Sequence, residues 1–497
     1  MNRRRVLLAV TLICGLAAPA RATVLMVDDD GLDCPGAPYR HIADAVAAAS
    51  DGDIIQVCRG TYPEQVVITK RLQLIGVASL GAAPVIAPTA LPAQAASLLS
   101  GNAIAAGVLV DHVRALIDGV LIDLGSNTLT GCSPVLAGVY VRDAEAVVRN
   151  VTVQGAQVPG HADCNSGVGL YVESDGSAPY PRGRVRVLTQ RNVFRNYQRA
   201  GMVATGPGLI LKEKGSEADG SGLDPDNVQI GFQLSNQATG ILKGVTATGN
   251  ATSIPGRTAS GILLAGALGA TVRHATVTTG QTGIFVIGDR ARIKGNTVRD
   301  MTDDGMVVFG NTDFLFDNAI TNTVAPGITG MFIVGQGDLI RGGSITGVPP
   351  VSMPTGIWLY GSTANSDQVS GVSFSNVITQ IQGVAGGSRN LGESAAAAFA
   401  LACTTDADCN DGVLCASHTC NVTTGTCTNI PGCDDGNACT ADTCDPVAGC
   451  VHTLISCDDG NPCTADLCNP ATGCYHQNVA DGTACGTGMT CLSGICQ

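Results

Sequence analysis

The sequence predicts an all-β protein: a parallel β-helix solenoid with an N-terminal cap helix, followed by a small disulfide-rich repeat domain. Three observations predict it. A ladder of glycines opens a series of short apolar strands, namely Gly261-Ile-Leu-Leu-Ala, Gly283-Ile-Phe-Val-Ile, Gly305-Met-Val-Val-Phe, Gly330-Met-Phe-Ile-Val and Gly356-Ile-Trp-Leu-Tyr, at steps of 22, 22, 25 and 26 residues. Units this short cannot bury their own apolar faces and must stack on their neighbours. The units are also strand-rich and Gly-punctuated, with 64 glycines in 497 residues and little helical periodicity. Finally, from Cys403 onward there is no Lys, Arg or Glu but eleven Asp, and the cysteines recur every 24 residues, which marks a separate module.

Residues 1–22 read as an export signal. Arg3, Arg4 and Arg5 precede an apolar run from Val6 to Ala18 and an Ala20-Arg21-Ala22 cleavage site. That run is too short to span a membrane, and no other stretch is long and apolar enough to form a transmembrane segment. Without Cys14, the 21 cysteines fall to an even twenty, so disulfides are the expected state of an exported chain. The net charge of −13, carried mostly by the tail, argues against nucleic acid as a partner. The protein is expected to be secreted or at the cell surface, with its oligomeric state left open.

Residues 23–77 form the expected cap and first coil. After Val27-Asp-Asp-Asp-Gly31, the residues Ile42, Ala45, Val46 and Ala49 make one apolar helical face, and the runs that follow alternate as strands do. The phrases Ile42-Ala-Asp-Ala-Val46, Gly52-Asp-Ile-Ile-Gln-Val57, Gly60-Thr-Tyr-Pro-Glu64 and Leu72-Gln-Leu-Ile-Gly76 resemble the start of the right-handed parallel β-helix superfamily, often called pectin lyase-like. That resemblance implies a right-handed solenoid over residues 24 to about 385 and leaves activity open, because the superfamily holds lyases, hydrolases, epimerases, adhesins and tailspikes.

Cys34 and Cys58 flank the cap helix and are expected to pair, as are Cys132 and Cys164 in inserts one coil apart. Residues 78–385 are assigned to the β-helix, with 78–106 leaving the first coil as a loop. Asn150, Asn296 and Asn318 are expected to occupy equivalent turn positions and to hydrogen-bond along the stack. Residues 386–402 read as a linker or cap, and 403–497 as cysteine-rich repeats. The units Cys433-Asp-Asp-Gly-Asn-Ala-Cys-Thr-Ala-Asp-Thr-Cys and Cys457-Asp-Asp-Gly-Asn-Pro-Cys-Thr-Ala-Asp-Leu-Cys resemble the CTDC-type repeat of slime-mould extracellular matrix proteins. This implies an extracellular stalk or attachment module stabilised largely by disulfides.

Strand register points to a site. Residues one and three after each glycine are aliphatic, while residues two and four include Arg142, Glu173 and Thr205, so the second set faces outward. That set also holds Tyr140, Tyr171, Phe285, Phe309, Phe332, Trp358 and Tyr360, an aromatic stripe suited to stacking on sugar rings. The leading expectation is a protein that engages polysaccharide or extracellular matrix through this sheet. A second reading is a polysaccharide lyase or other carbohydrate-active enzyme acting around Arg142, Asp143 and Glu173. A third is a structural surface protein whose stripe is covered by its own loops.

Fragments that resemble polygalacturonase motifs (Arg292-Ile-Lys294, Asp303-Asp304, Asn311-Thr-Asp313) occur in reversed order without their central Gly-His-Gly, and their catalytic roles are not transferred. No cofactor motif is present. Ca²⁺ is the one ion considered, at Glu213, Glu217, Asp219, Asp224 and Asp226, whose spacing matches no EF-hand and fits a solvated acidic loop better than a metal site. His418, His452 and His476 accompany cysteines at spacings that fit a disulfide repeat better than a zinc site.

Overall fold

The computed structural model describes residues 22–78, 81–158, 166–178, 180, 183–224, 227–254, 257–322, 329–348, 353–360, 367–383, 416–421, 426–431, 435–445 and 449–497. Two compact units are present, Met1–Ser394 and Ala395–Gln497. The expected signal, described only at Ala22, and the expected linker lie outside the described residues.

In the first unit the typical coil gives one strand to each of three parallel sheets, paired in register with the next coil. Sheet 1 runs from Val24–Val27 to Gln368–Ser370, and sheet 2 from Thr61–Tyr62 to Ser373–Ser375. Sheet 3 runs from Val66–Ile68 to Val377–Gln382 and contains the glycine-headed strands. The ladder has two further rungs, Gly107 in Ala103–Asp111 and Gly231 in Ile230–Ser235. The expected 78–106 loop is therefore interrupted, because Val85–Ile86 is a strand of sheet 2 paired to the coils on either side and Ile104–Ala106 already pairs with the next coil.

The rungs are glycine because of what they touch. A Cβ on Gly305 would sit 2.5 Å from the carbonyl oxygen of Gly330 and 2.7 Å from Cγ2 of Ile320 on sheet 2. Each rung lets a sheet 2 side chain pack directly against sheet 3 backbone, which narrows the solenoid there. The aliphatics one and three places after glycine fill the interior, with Ile284, Val286, Met306, Val308, Ile357 and Leu359 all buried.

Sheet 1 turns into sheet 2 through a residue in the left-handed region, such as Asn150 (φ 52°), Gly295 (φ 63°) or Asp317 (φ 53°). This corrects the expected equivalence of the asparagines. Asn150 is the turn residue itself, whereas Asn296 and Asn318 stand one place later and point inward. Asn296 Nδ2 donates to Asn318 Oδ1 (2.9 Å), and Ala275 N donates to Asn296 Oδ1 (2.9 Å). Asn192, which the ladder also contains, accepts from Val151 N (3.1 Å).

A second polar ladder lines the turn from sheet 3 into sheet 1 in the last coils. Asp313, Asp338 and Asp367 are buried, and each uses one carboxylate oxygen to accept from the backbone of the preceding coil: Ala291 N (2.6 Å), Asp313 N (2.8 Å) and Asp338 N (3.0 Å). The other oxygen of each is buried without a partner. Burial, with smaller repulsion from Asp289 and the adjacent rung, pushes Asp313 up to about 7 and Asp338 up to about 6.

The cap helix Ile42–Ala48 buries Ile42, Ala45 and Val46 as expected. Its ends are satisfied by the first coil. The Glu64 carboxylate accepts from Ile42 N (2.8 Å) and Ala43 N (2.9 Å), and Lys70 Nζ donates to the carbonyls of Ala47 (2.7 Å) and Ala49 (2.8 Å). Cys34 and Cys58 form the expected disulfide. Cys132 is disulfide-bonded, and Cys164, its expected partner, lies outside the described residues.

The tail unit is a series of small antiparallel hairpins, including Thr440–Asp445 with Gly449–Leu454 and Thr464–Asn469 with Gly473–Asn478. Cys439–Cys468 and Cys463–Cys491 link one repeat to the next, while Cys457–Cys474 closes one repeat on itself and Cys485–Cys496 closes the last. The Asp-Asp-Gly-Asn segments are turns, with Asp459 Oδ1 accepting from Asn461 N (2.8 Å) and Thr464 Oγ1 (3.0 Å). His476 Nδ1 lies 2.8 Å from Asp466 and 3.4 Å from Asp459, an exposed polar contact.

Candidate functional site

The outer face of sheet 3 is built from two outward columns. Two places after each rung stand Leu109, Tyr140, Tyr171, Val203, Gln233, Leu263, Phe285, Val307, Phe332 and Trp358, in register. Two places further stand Asp111, Arg142, Glu173, Thr205, Ser235, Ala265, Ile287, Phe309, Val334 and Tyr360. The predicted sidedness holds along the whole sheet, but the face divides into three parts.

The first part is covered. Residues 91–102 fold back over the early coils, with Ala95 and Ala96 antiparallel to Ile104 and Ala103. Tyr140 is completely buried and stacks on half-buried Tyr171, with ring centroids 5.2 Å apart. Tyr140 is therefore removed from any sugar-binding surface. Glu173, also completely buried, holds the cover in place. It accepts from Ser97 Oγ (2.6 Å), Leu98 N (2.9 Å), Leu99 N (3.2 Å), Tyr171 Oη (3.2 Å) and Tyr140 Oη.

The three residues considered for catalysis do not converge on one open centre. Arg142 is the register partner of Glu173, but its guanidinium pairs with Asp111 (3.1 Å). Asp143 lies in the turn that follows (φ 41°), and burial pushes its carboxyl up. Ser177 Oγ, 3.5 Å away, donates to it. Asp111 and His112, with His112 Nδ1 2.6 Å from the Asp111 carboxylate, complete this charged edge. The phrase Gly107-Val-Leu-Val-Asp111 is the signal that marks their place in the ladder.

The second part is polar. A cavity of about 340 Å³ lies between the cover and the middle coils, lined by Leu99, Tyr171, Arg199, Thr205, Gln233 and Ser235 among others. The third part is the aromatic cluster, spread over four successive coils. Ring centroids lie 5.8 Å apart for Phe285–Phe309, 5.9 Å for Phe309–Phe332, 5.2 Å for Phe332–Trp358 and 6.0 Å for Trp358–Tyr360. Phe309 is 38% exposed, and the other four are half-buried against one another. The single stripe expected from sequence is thus a buried tyrosine pair and a separate, accessible cluster, divided by three coils of Val203, Gln233 and Leu263.

The acidic stretch considered for Ca²⁺ is not one loop. Leu209–Lys214 and Glu217–Asp224 are strands of sheets 1 and 2. Glu213 points into the solenoid, where Thr189 Oγ1 and Ser216 N (3.0 Å) donate to it and burial pushes its carboxyl up. Glu217 and Asp219 face outward on sheet 2, Asp224 accepts from Asn227 N (3.0 Å), and Asp226 lies outside the described residues. The polygalacturonase-like fragments are likewise dispersed. Arg292 and Lys294 are on the outside of sheet 1, whereas Asp313 is buried in a turn.

No curated protein matches the chain. Among solved structures, the A-module of the Azotobacter vinelandii mannuronan C-5 epimerase AlgE4 is similar with a TM-score of 0.45 at 12% identity, covering 71% of this chain and 94% of that one. The DFA-IIIase of Arthrobacter chlorophenolicus A6 is similar with a TM-score of 0.41 at 15% identity, covering 76% and 91%. The family 28 exopolygalacturonase of Yersinia enterocolitica gives 0.40 at 10% identity, covering 74% and 79%. The Dictyostelium (slime mold) repeat matches residues 432–455 and 456–479 of the tail. The family model described as the right handed beta helix region matches residues 118–366, half of the chain, and the chain belongs to that family.

Proposed function

We propose that this is a secreted or cell-surface protein that binds a polysaccharide along the outer face of sheet 3, with the disulfide-rich tail as its attachment module. The observation that carries the reading is the accessible cluster of Phe285, Phe309, Phe332, Trp358 and Tyr360 on four successive coils. Rings held by each other and by a rigid sheet stack on sugars with little loss of side-chain entropy. The polar cavity beside the cover supplies amide and hydroxyl partners on the same face. Disulfides in both units suit an oxidising compartment, and among the described residues no helix is long and apolar enough to cross a membrane.

The test is calorimetry or affinity electrophoresis of the full chain against a panel of soluble plant, algal and bacterial polysaccharides, compared with Phe309→Ala/Trp358→Ala. Losing two stacked rings removes roughly 2 kcal/mol of apolar contact, a weakening of about 30-fold. Unchanged affinity in the double variant would sink the reading, as would failure of the wild type to bind any of the panel.

A further inference from the structure

The outer face of sheet 1 carries a single file of cations. Lys214, Lys243, Arg273, Lys294, Phe316 and Arg341 occupy the last outward position of six successive coils, each the register partner of the next. All five cations are exposed. None of their side chains has an ion pair or a hydrogen bond among the described residues. Asp317, in the turn beside Phe316, is the one carboxylate among the described residues lining a concavity of about 460 Å³ that Lys294 and Arg341 share.

The neighbouring outward column adds Lys212 and Arg292, also exposed, with the Arg292 guanidinium 5.9 Å from the centre of the Phe314 ring. Toward the N-terminal coils the face opens into a groove of about 590 Å³ that includes Arg186, Leu188, Ile210 and Lys212.

Like charges stacked directly opposite one another across parallel strands repel. A chain with 41 Asp and Glu has carboxylates enough to interleave such a column, yet only uncharged or cationic residues stand in these six rungs. The arrangement is costly alone and favourable once an external polyanion neutralises it. Strands stack at about 4.8 Å, close to the rise of one sugar ring in an extended chain, so a polymer with one carboxylate per ring meets a cation on five of these six coils, with Phe316 on the other. Phe314 and Phe316 supply ring faces between the charges. A duplex nucleic acid fits less well, because it brings two charged strands against one file of cations on a net acidic chain. We infer that the outer face of sheet 1 is a binding track for an acidic, uronate-type polysaccharide lying along the solenoid axis.

This track is distinct from the aromatic cluster on sheet 3, and its test separates the two. Binding of the full chain to polygalacturonate and to alginate is measured at 50 and 200 mM salt, with dextran and duplex DNA as comparators. Lys243→Gln/Arg273→Gln and Lys214→Gln/Lys294→Gln are the variants, and circular dichroism and the unfolding midpoint check that each remains folded. The expected result is polyuronate binding that salt weakens and that each double variant reduces by about tenfold or more. The inference is overturned if the wild type binds neither polyuronate or if both variants bind as the wild type does. It is overturned equally if DNA binds as tightly as polyuronate, or if only Phe309→Ala/Trp358→Ala reduces polyuronate binding.

Discussion

The aspartate ladder predicts that the β-helix loses stability as pH rises. Asp313 is completely buried and its carboxyl is pushed from 3.8 up to about 7. A group whose pKa is raised by folding binds its proton more tightly in the folded chain, so its contribution is intact below pH 4 and is lost as pH rises through 7. At about 1.36 kcal/mol per unit, ionising Asp313 costs the fold at most roughly 4 kcal/mol. Asp313 directly follows exposed Asn311 and Thr312, and screening by nearby solvent reduces this to about 2 kcal/mol. Asp338, up to about 6, acts in the same direction over a lower range, and the repulsion between the two makes their effects non-additive.

Calorimetric scans of the full chain between pH 5 and pH 8 should show the β-helix transition falling by about 4 °C or more. In Asp313→Asn the oxygen that accepts from Ala291 N is kept and the charge is gone, so the fall should shrink while the remaining slope reports Asp338, Asp304, Asp303, Glu213 and Asp143, whose carboxyls burial also pushes up. A transition that is flat over this range, or that falls equally in wild type and variant, would refute the assignment of a raised pKa to the ladder.

Three further outcomes follow from packing. Gly305→Ala should destabilise the β-helix by roughly 1–3 kcal/mol in denaturant titration, because its Cβ would meet backbone at 2.5 Å; full stability in that variant would show that the coils can separate there. Glu173→Gln should loosen the cover over Tyr140, read as faster proteolysis within residues 91–102 with the rest of the solenoid intact. Cys463→Ser should cost the tail repeats about 2–4 kcal/mol, because Cys463–Cys491 joins two buried cysteines across repeats, and hydrogen exchange in 457–497 should rise while the β-helix is unaffected.

Much of the fold was legible because it is local and repeated. The glycine phrase sets the period, and aliphatics at one and three after Gly283 or Gly356 set the inward face, since side chains on a strand alternate. The cap helix was readable from Ile42, Ala45, Val46 and Ala49, and the tail from its 24-residue cysteine repeat. The acidic residues from Glu213 to Asp224 read in sequence as a loop, whereas Gly215 is a turn residue and the step from Asp219 to Gly222 a bulge, and both keep the strands in the stack.

Exposure is a different matter, because it is decided by segments distant in sequence. Tyr140 and Phe332 obey the same register rule, yet Ser97, Leu98 and Leu99 docking on Glu173 seal the first away, and the second stays half-open. The cation column was equally hidden. Its members are separated by coils of unequal length, so no fixed spacing reveals them, and the net negative charge pointed the other way. The sequence by itself determined the solenoid, its period and which side chains face out of it, because those follow from strand alternation and the need of each coil to be covered. Only the tertiary structure decided which outward residues meet water and which charges stand together, because stacking register and insert docking are settled between coils, not within them.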